Sequence, residues 1–424
     1  MFHRFKYVDE QPFEHRIPSV ATVRQQFEEH RIEDIPGVLR QQLQKPEISS
    51  RIKKGARIAI GAGSRGIANI ALIVKSLVDI LREKGTEPFV FPAMGSHGGA
   101  TAEGQKGLLA SYGITEEYIG APVHASMEVV EQARMADRTP LYVDRFANEA
   151  DGIILVNRIK PHTSFRGSIE SGIVKMMIIG MGKIAGATVM HSDRGMDLFG
   201  TVLPKAAEVL MPHIPFLFGI GLVEDAYDHT AIIEAIPGES LIAREEELLV
   251  QAKAMMPRLY LTEMDVLVID QIGKEISGGG FDPNIAGRNS RNVKGFDDIE
   301  AKKMVILNLS PHTHGNATGV GLADVITRKL FDSIDLQATY TNVITSTYLD
   351  AAAIPIVMET EREAIQLAIR SVPRVKPKDI RLVRIKDTLS LGEIVVSEAL
   401  LKEVNEHPRL EVVSGVREMV VEGL

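Results

Sequence analysis

Histidines and lysines close to glycine-rich turns are the residues of this 424-residue chain best placed to do chemistry. His97 stands in GSHGG (95–99), where glycines let the backbone turn tightly or approach a ligand closely. His162 follows Lys160 and Pro161 at the end of the apolar run in DGIILVNRIKPH (151–162). Imidazoles on neighbouring loops each exchange protons near neutral pH, and two opposed bases suit a reaction on both faces of one carbon. Lys175, in SGIVKMMIIGMGK, is followed by four apolar residues and then by Lys183. A cation in that setting is paired, covalently used, or snorkels from the edge of an element. An amine in an apolar pocket can lose its proton and serve as nucleophile or attachment point. His191, in GATVMHSDRG, lies sixteen positions beyond Lys175. Arg65, in GAGSRG, would offer a guanidinium to a carboxylate beside backbone N–H groups suited to phosphate. Each residue also has an ordinary reading, as a loop histidine, an edge lysine or a surface arginine.

Further along, Gln271 and Lys274 end an apolar run, and the polar loop SGGGFDPNIAGRNSR follows with Asp282, Asn284, Arg288 and Asn289. His312 and His314 form an H-x-H pair that invites a zinc-dependent hydrolase or lyase, although no H-E-x-x-H accompanies it. The glycines match neither the dinucleotide fingerprint nor the ATP phosphate loop.

The elements that must position these residues repeat one grammar. RIAIGAG (57–63) predicts a strand entering a glycine turn, followed by a helix with Ile67, Ile70, Val74, Leu77, Val78 and Leu81 on one face and Gly85 at its end. A strand near 89–93, the turn at 95–99 and a helix from about Thr101 repeat it. Residues 151–162 predict a third buried strand, and 264–280 and 302–319 two more. The fold class expected is α/β, two lobes each built on a mostly parallel sheet flanked by helices, with the active site in the interlobe crevice. The division expected is a lobe over 1–257 and a second over 258–424, with roughly the last 20 residues able to pack back on the first.

Composition narrows the function. Forty-eight basic against 56 acidic residues, a net charge of −8, leave no excess for phosphate neutralisation, so no nucleic-acid partner is expected. Cysteine is absent, which excludes disulfides, thiol nucleophiles and thiolate metal sites. No run of about 18 apolar residues occurs and the N-terminus has no apolar core, so the expectation is a cytoplasmic protein without a membrane partner.

Taken jointly, GSRG at 63–66, GSHGG at 95–99, KPH with a downstream G-I-V-K at 160–175, and His191 resemble the nickel-pincer-dependent lactate racemase family. The likeness runs over most of the first lobe and more faintly into the second. The resemblance implies that Lys175 tethers pyridinium-3,5-bisthiocarboxylic acid mononucleotide, a nickel-pincer nucleotide made by maturation enzymes, and that His191 is the protein ligand to nickel. The sulfur ligands would belong to the cofactor, which accommodates a chain without cysteine. By the same resemblance His97 and His162 are the acid/base pair of a racemase or epimerase acting at C2 of a 2-hydroxy acid. Arg65 would hold the substrate carboxylate, Ala62, Gly63, Ser64 and Arg65 would touch the cofactor, and Gln271 and Lys274 would reach cofactor or substrate. Three features depart from the lactate enzyme: a longer His162–Lys175 spacing, no acidic residue before Arg65, and no tryptophan. They leave the cofactor reading in place and do not single out lactate; the loop with Asp282, Asn284, Arg288 and Asn289 would suit a longer, hydroxylated acid. The other readings are the zinc enzyme built on His312 and His314, and a non-catalytic nucleotide- or sugar-acid-binding protein.

Overall fold

The computed structural model describes residues 17–63, 66–195, 198–290 and 293–422. The strands in chain order are β1 (Val20–Gln25), β2 (Arg57–Ala62), β3 (Glu87–Pro92), β4 (Val129–Arg134), β5 (Pro140–Asp144), β6 (Gly152–Arg158), β7 (Phe216–Glu224), β8 (Thr230–Pro237), β9 (Glu263–Ile272), β10 (Glu300–Leu309), β11 (Val325–Thr327), β12 (Ile356–Met358), β13 (Leu382–Ile385), β14 (Glu393–Ser397) and β15 (Leu410–Val412). They fall into two compact units. One is Glu28–Met256; the other joins the described residues up to Phe27 to those from Pro257 onward.

In the Glu28–Met256 unit a five-stranded sheet has the order β3-β2-β6-β7-β8. β3, β2, β6 and β7 are parallel, and β8 returns antiparallel beside β7. Side chains alternate between two cores, as a sheet covered on both faces requires. Ile58, Ile60, Ile154 and Val156 face the Ile70–Glu83 helix, with Ile70, Val74, Leu77, Val78 and Leu81 buried against them. Ala59, Ile153 and Leu155 face the opposite core, where Ile173, Val174, Met177, Phe165 and Phe199 pack. Gly85 follows the first of these helices with φ of +78°, the left-handed turn that ends it. Thr101 caps the Ala102–Ser111 helix, its hydroxyl accepting the Gly104 N–H at 3.0 Å. The expected strand, turn and helix units are therefore all formed.

Register brings three strand ends together. Ala62 lies level with Pro92 on one side and with Val156 on the other, so β2, β3 and β6 deliver their carboxyl ends side by side. From β2 the chain steps outward to β3 and later re-enters on the other side with β6, so the strand order reverses there. That is the switch point at which open α/β sheets bind ligands.

The other unit is an eight-stranded sheet of order β12-β11-β10-β9-β13-β14-β1-β15. β12, β11, β10, β9 and β13 are parallel, and β14, β1 and β15 are antiparallel additions. This departs from the expected division at both chain ends. β1 was expected with residues 1–257 but pairs with β14, and β15 pairs with β1 rather than returning to the first lobe. The physical reason is edge completion: β14 and β1 each satisfy an otherwise open row of backbone groups, and no local propensity encodes that partner.

Among the described residues no single helix is long and apolar enough to cross a membrane. The segments Ile173–Gly180 and Lys183–His191 are apolar enough together but bend by 102° between them. They cover the inner face of the five-stranded sheet.

Candidate functional site

At the carboxyl end of β6 the backbone closes a loop. Lys160 and Ser171 exchange N–H···O bonds of 3.0 and 3.1 Å, so residues 161–170 leave and return at one point. Glu170 organises the loop from inside and is only 1% exposed. Its Oε2 accepts the His162 N–H at 2.6 Å and faces Arg166 at 3.4 Å, while Oε1 pairs with Lys253 at 2.6 Å. A buried carboxylate persists only when paired and hydrogen-bonded, and these partners fulfil that condition.

The loop fixes the His162 ring. Nδ1 accepts the Ser164 N–H at 3.0 Å, and the ring stacks on Phe165 with centroids 4.3 Å apart. Nε2 lies 2.7 Å from Lys175 Nζ, which also sits 6.0 Å from the Phe165 centroid. Phe165 meets Phe199 edge-on at 5.6 Å, and Phe199 meets the His191 ring edge-on at 5.0 Å. His162, Lys175 and His191 are thus gathered around two buried phenylalanines, although the first and last are 29 positions apart in the chain.

His191 is oriented as a metal-ligating imidazole is. Nδ1 donates to the Ala187 carbonyl at 2.6 Å, one helical turn earlier, which leaves Nε2 with its lone pair. Burial pushes its pKa below the usual histidine value, against the effect of the Ala187 bond, and an ammonium on Lys175 would lower it further. The neutral form, the one that ligates, is the form this environment favours.

Lys175 is set by backbone geometry. Asn157, near the end of β6, donates from Nδ2 to the Gly172 carbonyl at 2.7 Å. Glu245, from the Leu241–Met255 helix, then accepts the N–H groups of Ile173 and Val174 at 2.9 and 3.1 Å. A Cβ on Gly172 would lie 2.1 Å from Glu245 Oε1, so only glycine admits this carboxyl. Met176–Gly180 continues as a π-helical turn, an irregularity often found at functional sites. Its end meets the GSHGG turn: the Gly180 carbonyl accepts the Gly95 N–H at 3.0 Å. Gly95 has φ of +59°, and a Cβ there would lie 3.2 Å from the Ile179 carbonyl.

Burial raises the Glu245 carboxyl to about 8, with the two backbone N–H bonds opposing the rise. An unfolded Glu ionises near 4.5. Between those values the folded state keeps a proton that the unfolded state releases, so stability is fullest below about 4.5 and declines as pH rises towards 8, by roughly 1.4 kcal/mol per unit in that window. Glu245→Gln, which keeps the acceptor oxygen and cannot ionise, is expected to flatten this slope. Urea midpoints from pH 5 to 8.5 measure it, and equal slopes for the two proteins would refute the assignment.

His97 is exposed on the turn after β3. Its backbone is fixed by Gln105, whose Nε2 donates to the Gly95 and His97 carbonyls at 2.9 and 3.2 Å. Gln105 Oε1 in turn accepts from Lys183 at 3.1 Å. Ala62 is buried in the sheet, and a side chain at Gly63 would meet Met176 Cε at 3.0 Å, so the end of β2 lies against the residue after Lys175. Ser64 and Arg65 lie outside the described residues.

In the other unit Gln271 ends β9 and donates from Nε2 to Asp387 at 3.0 Å, while the Lys274 amine donates to the Gly278 carbonyl. The loop beyond is largely self-satisfying. Asp282 accepts from Asn284, and Arg288 pairs with Asp324 at 2.7 Å and donates to the carbonyls of Ala301, Lys302 and Leu322. Arg288 therefore holds backbone, a use that its sequence context did not reveal. His312 and His314 are exposed in a short turn after β10. Among the described residues no group of three or more His, Asp or Glu side chains is arranged to hold a metal.

Sequence reasoning missed Glu170, Glu245, Phe165 and Phe199. Only a carboxylate embedded in the glycine-containing stretch RGSIESG hinted at the first.

No protein-family profile and no curated protein matches the chain. Among solved structures, the lactate racemase apoprotein from Thermoanaerobacterium thermosaccharolyticum is similar over 88% of this chain and 89% of its own, at 13% identity and a TM-score of 0.49.

Proposed function

We propose that this chain is a racemase or epimerase inverting C2 of a 2-hydroxy acid, with a nickel-pincer nucleotide tethered to Lys175. The observation that carries the reading is the gathering of Lys175, His162 and His191 around Phe165 and Phe199, beside the switch point of a parallel sheet. The residues fit the group. Lys175 offers a primary amine on a backbone fixed by Glu245, and His191 offers a neutral imidazole whose Nδ1 is already spoken for. Every softer donor must come from the cofactor, because the chain has no cysteine.

When bound, such a group supplies a reversible hydride acceptor, and the chain supplies orientation and proton transfer. With Nδ1 accepting the Ser164 N–H, His162 would give a proton to the substrate oxygen from Nε2–H, and His97 would serve the opposite face. Phe165 and Phe199, both buried, would shield the His191 side from water, which would strengthen each polar contact in the site.

The test is intact mass and elemental analysis of protein expressed with nickel-pincer biosynthesis enzymes. An added mass on Lys175 with stoichiometric nickel is expected, and His191→Ala is expected to keep the mass and lose the nickel. An unmodified, nickel-free chain beside a matured lactate racemase control would overturn the reading.

A further inference from the structure

We infer that Gln105 and Lys183 are positioning residues of the same site: together they hold the GSHGG turn, which carries His97, against the start of the helix that carries His191. The inference rests on the reading of His97 as an acid/base group and of His191 as a ligand, and deepens it.

Packing alone does not account for either residue. Gln105 and Lys183 are both fully buried, and long polar side chains are seldom found there unless their polar ends are satisfied. Apolar side chains of like volume would fill the same space; what the polar pair adds is direction. Gln105 Nε2 donates to the Gly95 and His97 carbonyls at 2.9 and 3.2 Å. Carbonyl oxygens only accept, so the amide presents its nitrogen to the turn and its oxygen to the other side. There Oε1 accepts from Lys183 Nζ at 3.1 Å. Nζ also donates to the carbonyl of Pro92, the last residue of β3, and lies 3.0 Å from Asp144 Oδ2. Asp144 is itself fixed, since its Oδ1 accepts the Ala147 N–H at 3.1 Å.

Lys183 opens the Lys183–Arg194 helix with φ of +53°, a backbone angle uncommon for lysine and held by the surrounding bonds. One side chain thereby joins the end of β3, the end of β5 and, through Gln105, the turn. Gly95 makes a second seam with the same segment: its N–H donates to the Gly180 carbonyl at 3.0 Å, and a Cβ there would lie 3.7 Å from Ala187 Cβ. His97 is exposed, so the reach of its ring follows from where its backbone is held. A displacement of about 1 Å in a reacting group costs on the order of 100-fold in rate, which is the scale on which such a brace matters.

Hydrogen exchange of the full-length protein, read peptide by peptide by mass spectrometry, tests the brace without nickel or cofactor. In Gln105→Met, which keeps Lys183 and Asp144, the amides of residues 94–100 are expected to exchange at least about tenfold faster, with the Ile70–Glu83 helix at wild-type rates. Lys183→Met/Asp144→Leu removes both buried charges and is expected to melt close to the wild type, yet to loosen residues 184–190 as well as the turn. On matured protein, Gln105→Met is expected to keep its nickel and to lower kcat per nickel at least about tenfold, with KM within about twofold, for the 2-hydroxy acid that the wild type turns over fastest. A residue that only stabilised the fold would leave kcat per nickel unchanged. Exchange of the turn within about twofold of wild type in both variants would overturn the inference, as would equal acceleration of the Ile70–Glu83 helix. So would a loosened turn with kcat per nickel unchanged. A wild type that takes up no nickel would defeat the proposed function instead, and the exchange rates would still decide whether Gln105 and Lys183 hold the turn.

Discussion

Lys175→Arg protein is expected to melt as the wild type does, to carry no added mass and no nickel, and to turn over any 2-hydroxy acid at least about 10⁴-fold more slowly. Arginine keeps a long side chain that can lie over Phe165, so the local packing survives. It has no primary amine to acylate. On the proposed function, loss of attachment would remove the hydride acceptor altogether, so the effect would exceed that of replacing either histidine alone. Intact mass, nickel content and chiral analysis of a panel of 2-hydroxy acids measure the three parts. Turnover within tenfold of wild type would move the attachment elsewhere.

The second large effect is on stability. Lys183→Met is expected to cost about 3–5 kcal/mol, because it leaves the Asp144 carboxylate buried without its cation. Lys183 and Asp144 have fully buried side chains 3.0 Å apart. The amine also donates to the Pro92 carbonyl and to Gln105 Oε1 at 3.1 Å. Burial pushes the lysine pKa down and the aspartate pKa up, each against the pull of its partner, so the pair is held by packing and not by solvent. Lys183 also has φ of +53°, at the bend between the Lys175 segment and the His191 helix. Removing both charges in Lys183→Met/Asp144→Leu is expected to recover most of the loss. Denaturant midpoints distinguish the cases, and a single variant within about 1 kcal/mol of wild type would show that the pair contributes little. Because Gln105 ties Lys183 to the carbonyls of Gly95 and His97, the single variant also loosens the turn that carries His97.

The two lysines show where legibility in the sequence ended. Both stand beside apolar residues in SGIVKMMIIGMGK, and local composition does not separate them. In the structure Lys183 is fully buried in an ion pair, while Lys175 is half-buried with its amine at an imidazole. The partners that distinguish them come from 39 positions before Lys183 and 13 before Lys175. Similarly, Arg288 and Asp282 read as ligand-facing groups in a polar loop, whereas distant carbonyls take up Arg288 and Asp282 caps the short helix that follows it.

By itself, the amino-acid order determined the repeating strand, turn and helix units and their two-sided burial, because apolar periodicity acts over one or two turns of backbone. It also determined that histidine and lysine side chains stand at strand ends, and that no thiolate can take part. Tertiary structure alone decided that β1 and β15 complete the second unit's sheet, and that Glu170 and Glu245 fix the backbone around His162 and Lys175. It alone brought His191 to the same pair of phenylalanines as His162. Those outcomes depend on which distant groups satisfy a buried carboxyl, a sheet edge or an aromatic face, and no local spacing encodes such a partner.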